Sequence, residues 1–213
     1  MKKSTSAVLF GLALASSAAS AVNFDVTITN ITRGIVFTPF LVATHKPAVS
    51  LFTLGSPAST ELSALAEGGD TAPLKALLKG NPKVADVQTS SGLLEPGKSV
   101  TVRVTGAWDS RFSVAAMLLP TNDGFAALDG VYGPFLGQTV SYEAPAYDAG
   151  SEPNDELCAN IPGPMCHGQG GSPTESGEGF VHIHAGIHGI GDLPASDYDW
   201  RNPVVTVSIK RAP

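Results

Sequence analysis

Three of the chain's five histidines fall within seven residues, in the stretch FVHIHAGIHG from Phe180 to Gly189. Residues two apart in a strand share a face. His182 and His184 are therefore expected to project together, with Val181 and Ile183 turned towards the core. A turn at Gly186 would bring His188 back to them. Three imidazole nitrogens around one point suit Zn²⁺ or Cu²⁺, and an open fourth position would permit hydrolytic or redox chemistry. Asp192, Asp197 and Asp199 follow closely and would supply supporting oxygens. The same pattern also reads as a polar sheet face whose histidines hydrogen-bond to neighbours or to those aspartates.

A second constellation is acidic. MLLPTNDGF places Asp123 in a loop straight after an apolar strand, and YDAGSEPNDE places Asp148, Glu152, Asn154 and Asp155 in another. Oxygen-rich loops suit Ca²⁺, which takes six to eight oxygen ligands in flexible geometry, backbone carbonyls included. Gly124 and Gly150 would let the backbone turn tightly enough to offer them. Asp and Asn are equally common as plain turn formers, so spacing alone leaves both readings open.

The elements that must position these residues are mostly strands. NFDVTITNI alternates Phe24, Val26 and Ile28 against Asp25, Thr27 and Thr29, the period of a half-buried strand. IVFTPFLVATH follows, with Pro39 marking an edge or a bulge. STELSALAEGGDTAPLKALLKGNP predicts two short helices. Thr60 with Ser63 would cap the first, and Asp70 or Thr71 the second, where Pro73 is tolerated in the first turn. Leu74, Leu77 and Leu78 form an apolar face. SVTVRVTG alternates again, while RFSVAAMLLP is continuously apolar, as a strand covered on both faces would be. QTVSYEAPAY and the closing NPVVTVSIKR complete the set. The segment from about Gly150 to Gly179 is long for a connection, hence functional or mobile. The expectation is an all-β antiparallel sandwich of about eight strands with a short helical insertion.

Composition narrows the function classes. The first 21 residues carry two lysines, an apolar run of about ten residues and Ala19-Ser20-Ala21, the form of a bacterial-type signal peptide. The run is too short for a stable membrane span. The mature domain would occupy residues 22–213, exported to periplasm or exterior. With 23 glycines and 16 prolines the chain is turn-rich. A net charge of −6 argues against nucleic acid, and against simple electrostatic attraction to anionic lipid. The two cysteines, Cys158 and Cys166, are expected to pair in an oxidising compartment. Cys166 with His167 as soft metal ligands is the alternative. Trp108 and Trp200 read as packing residues. Asn30-Ile31-Thr32 matches a glycosylation sequon by chance. No serine sits in the context of a nucleophile elbow.

AAMLLPTNDGFAALDG, YDAGSEPNDE and DYDWRNPVVTVSI together resemble the spondin domain, the N-terminal module named after F-spondin and found alone in many bacterial exported proteins. The matching pieces are Met117 to Phe125, Asp148 to Glu152 and Asn202 to Val205, and the resemblance extends over the mature chain. HIHAGIHG followed by DYDWRNP is similar to the bacterial branch of that family. The resemblance implies a β-sandwich and a calcium ion at one end, held by carboxylates matching Asp123, Asp148 and Glu152. Two departures stand out. Glu152 replaces an Asp, reaching one methylene further, and Gly124 replaces an aromatic that here comes one place later, at Phe125. The implied function is a non-enzymatic binding module that contacts a protein or a surface or matrix component. The competing expectation is a small periplasmic copper or zinc protein built on His182, His184 and His188.

Overall fold

A computed structural model describes residues 21–135, 137–171 and 177–213. The expected signal peptide, save Ala21, lies outside them. In chain order the elements are β1 (Val22–Asn30), β2 (Val36–Phe37), β3 (Leu41–His45), α1 (Thr60–Gly68), α2 (Ala72–Lys79), β4 (Val84–Thr89), β5 (Ser99–Gly106), β6 (Arg111–Leu119), β7 (Gly124–Tyr132), β8 (Thr139–Ala144), β9 (Ala146–Asp148), β10 (His182–Ile183), α3 (Ala195–Tyr198) and β11 (Val205–Arg211). All strand pairs are antiparallel, and they form two sheets. One runs β5-β1-β11-β8; the other runs β10-β9-β7-β6-β3-β4, with β2 added beside β6.

The expected sandwich is present, with more strands than expected. The additional ones are two or three residues long, too short to show a period. IVFTPFLVATH breaks at Thr38-Pro39-Phe40 into β2 and β3, since Pro39 has no N–H to continue a ladder. Thr38 bridges the break, its N–H donating to Met117 O at 3.1 Å and its hydroxyl accepting from Met117 N at 3.1 Å.

The main core fills the space between the sheets. Phe24 of β1 meets Phe112 of β6 edge to face, ring centroids 5.0 Å apart. Truncating Phe112 to Ala would cost about 3–5 kcal/mol. A second core lies on the outer face of the larger sheet, where Leu62 and Leu65 of α1 and Leu74 and Leu78 of α2 pack among Leu41, Ala115 and Phe125. Helices on one face and the partner sheet on the other explain why β6 is apolar without alternation.

Two local expectations change, and the chance reading of the sequon holds. Ser59, not Thr60, caps α1, accepting from Leu62 N at 3.2 Å. Leu77 is exposed, because α2 turns only Leu74 and Leu78 inward. Asn30 is buried, donating to Ile35 O at 2.7 Å and Leu94 O at 3.0 Å, so its amide is unavailable to a glycan. Cys158 and Cys166 form the expected disulfide. No described helix is long and apolar enough to cross a membrane.

Candidate metal centre

β6 and β7 are joined by Pro120–Asp123 at one end of the sandwich. Thr121 shapes that turn: its hydroxyl donates to Leu118 O at 2.7 Å and accepts from Gly124 N at 3.0 Å. Asp123 is thereby held inside the protein. β9 pairs with β7, bringing Asp148 opposite Gly124, and β10 pairs with β9, bringing His182 opposite Asp148. Gly124 is required at this crossing. A Cβ there would lie 2.7 Å from Thr121 Oγ1 and 3.0 Å from the His184 ring. The aromatic therefore appears one place later, where Phe125 faces the helix-covered core.

Asp123, Asp148 and Glu152 are all buried. Asp123 uses one oxygen to fasten the following loop: Oδ2 accepts from Ser151 N at 2.7 Å, Glu152 N at 3.0 Å and Ser151 Oγ at 3.2 Å. Its Oδ1 is buried with no hydrogen-bond partner among the described residues. Burial, and then the neighbouring Asp148 carboxylate, push Asp123 up to about 7. Burial also raises Asp148, against hydrogen bonds from Asn154 Nδ2 (2.5 Å) and Gly150 N (2.7 Å). Two carboxylates are thus close together in a medium that disfavours their charge, and a cation would relieve both.

The three histidines diverge. His182 points to the acidic loops, its Nδ1 3.7 Å from Asp148 Oδ1. Nδ1 is also 3.2 Å from Phe180 O, which can only accept. His184 turns inward beneath Gly124, its ring 4.9 Å from Trp200. Its Nδ1 accepts from Gly186 N at 3.0 Å, so the proton sits on Nε2, which has no partner among the described residues. Burial holds its pKa down to about 4, and the ring stays neutral. In that tautomer His184 offers no free lone pair to a metal. His188 is exposed, and Glu156 holds its backbone.

Ligand atoms of Asp148, Glu178 and His182 lie within 4.8 Å of one another. Among the described residues neither Asp123 with Asp148 and Glu152 nor the three histidines together form such a group. The group instead takes one member from each constellation and adds Glu178, which sequence reasoning missed. Its only signal was its place in the long Gly150–Gly179 connection. Glu156 was also missed: its carboxylate accepts from His188 N (2.6 Å), Gly189 N (2.8 Å) and Ile190 N (2.9 Å), fixing the histidine loop. Asn154 contacts Asp148 as its loop position suggested. Asp155 instead accepts from Asn122 Nδ2, Leu157 N and Asn160 Nδ2, a structural use.

The family model described as Spondin_N matches residues 27–151. The match contains Asp123 and Asp148 and ends just before Glu152, so Glu178, the histidine stretch and the closing NPVV strand lie beyond it. No curated protein matches the chain.

Proposed function

Because the chain belongs to the Spondin_N family, we propose that it is an exported, non-enzymatic binding module whose acidic end holds a calcium ion. Asp123, Asp148 and Glu152 would hold the ion, and with it order the loops that meet a protein or a surface or matrix partner. The observation carrying this reading is the buried Asp123–Asp148 pair, with Asp123 Oδ1 unpartnered among the described residues. Oxygen donors on turn-rich backbone are what calcium requires. The disulfide supports export, since such bonds persist in oxidising compartments.

The test is thermal unfolding of chelated protein with millimolar Ca²⁺ added. A ligand that binds only the native state at a hundred times its Kd stabilises by about 2.7 kcal/mol, a rise in Tm of roughly 5–10 °C for a chain this size. No rise, with no calcium retained on dialysis, refutes the reading.

A second reading rests on Asp148, Glu178 and His182. Two carboxylates and an imidazole form a donor set suited to Zn²⁺ or Cu²⁺ rather than Ca²⁺. The two sites share Asp148, so occupation of one would perturb the other. Elemental analysis of untagged protein separates them: zinc or copper lost in His182→Gln favours the second, calcium lost in Asp123→Asn the first.

A further inference from the structure

The opposite end of the sandwich has a different chemistry. β6 separates the two ends by nine residues, about 30 Å at strand rise. At the far end the β5–β6 turn closes through Ser110, whose N–H donates to Ala107 O (3.1 Å) and whose Oγ accepts from Ala107 N (2.9 Å). This lifts Trp108 into solvent at 72% exposure. The β7–β8 loop is anchored at its base. Gly133 lies so close to Phe112 that a Cβ would sit 2.6 Å from the ring, and Tyr142 Oη donates to Tyr132 O at 2.9 Å. Beyond the anchor Phe135 is 70% exposed and Tyr132 67%.

Trp108, Pro134 and Phe135, with Phe24 as floor and Arg211 as wall, enclose an apolar groove of about 320 Å³. Apolar surface held out at the end of a sandwich marks an interaction site. The cation in its wall selects the partner. Arg211 lines the groove and is exposed, whereas its neighbour Lys210 projects from the other face of β11 beside Asp25. The carboxylate on the Trp108 turn, Asp109, is paired with Lys46 at 3.3 Å. Among the described residues no carboxylate lines the groove. The buried carboxylates Asp123, Asp148 and Glu152 lie at the other end, so the net charge of −6 does not describe this groove.

We propose that this end docks on an anionic lipid surface, with Trp108 and Phe135 entering the interface and Arg211 meeting the headgroups. Aromatic rings with an apolar body suit that depth, and a basic side chain beside them adds attraction that salt screens. The face lies opposite the acidic loops, so docking here needs no calcium.

The experiment is flotation with vesicles of phosphatidylcholine, with or without phosphatidylglycerol, in chelator so that the acidic end cannot bridge to headgroups through calcium. Tryptophan emission is read in parallel. Trp200 is buried at 8% exposure, so a shift on binding reports Trp108. Expected are flotation and a blue shift with anionic vesicles only, both reversed by high salt. Trp108→Ser and Phe135→Ser should each weaken partitioning about tenfold, and Arg211→Gln about fivefold. Both aromatics are exposed, so unchanged thermal unfolding of these variants shows that the fold survives. Equal behaviour with neutral and anionic vesicles, or no flotation at all, overturns the proposal. Concentration-dependent self-association abolished by Trp108→Ser would assign the groove to a second copy and overturn it equally.

Discussion

His182 and Asp148 face one another across the antiparallel pair β9–β10, Nδ1 to Oδ1 at 3.7 Å. This register joins one residue from each of the two constellations, 34 positions apart in the sequence. Asp148 belongs to both candidate ion sites, and His182 to one.

That sharing makes metal selectivity separable by mutation. Asp148→Ala should remove stabilisation by both Ca²⁺ and Zn²⁺. His182→Gln should remove only the zinc response, leaving a calcium shift of roughly 5–10 °C. Differential scanning calorimetry of the chelated and metal-loaded variants reads this directly. Equal loss of both responses in His182→Gln would unite the sites.

The pH dependence of the metal-free protein follows from Asp123. Its folded pKa, about 7, lies above its ordinary 3.8. Between these values the native chain keeps a proton that the unfolded chain has released. Unfolding free energy therefore falls as pH rises from about 4 to about 7, by at most about 4 kcal/mol. Denaturant titrations in chelator should show that slope. Asp123→Asn, whose amide oxygen can still accept from Ser151 N and Glu152 N, should flatten it. It should also make the metal-free protein more stable at pH 8 while abolishing the calcium response.

Gly124→Ala tests the tightness of the crossing. The added methyl meets Thr121 Oγ1 and the His184 ring, both in buried residues. Overpacking of this kind costs about 1–3 kcal/mol. Chemical denaturation measures the loss, and a weakened metal response should accompany it because Asp123 is the adjacent residue.

Cys158 and Cys166 close a loop with a sequence separation of eight. On the chain-entropy account the bond contributes about 2–3 kcal/mol. The double serine variant should lose about that much in denaturant titration, with Ile161 of the loop still buried in the inter-sheet core.

The family match stops at Ser151, whereas the motifs read from the sequence extend to Val205. Within it, the carboxylates and β-strands were legible for simple reasons. Two-residue alternation in β1 and β5 fixes which side chains face inward, and the unbroken apolar run of β6 requires cover on both faces. Trp108 was misread as packing because composition cannot say whether a turn residue faces in or out. Glu178 carried no local pattern at all.

Local chemistry in the sequence determined the strand faces, the helical insertion, the disulfide pair and the acidic residues placed after β6 and β9. Tertiary structure decided what those residues meet. Cross-strand register set Asp148 between Asp123 and His182, burial raised Asp123, and a backbone N–H from Gly186 fixed the tautomer of His184. Folding also placed Asp123, Asp148 and Glu152 at one end and the exposed Trp108 and Phe135 at the other. Periodicity reports one strand's own faces; pairing and desolvation depend on strands far away in the chain, which no local pattern encodes.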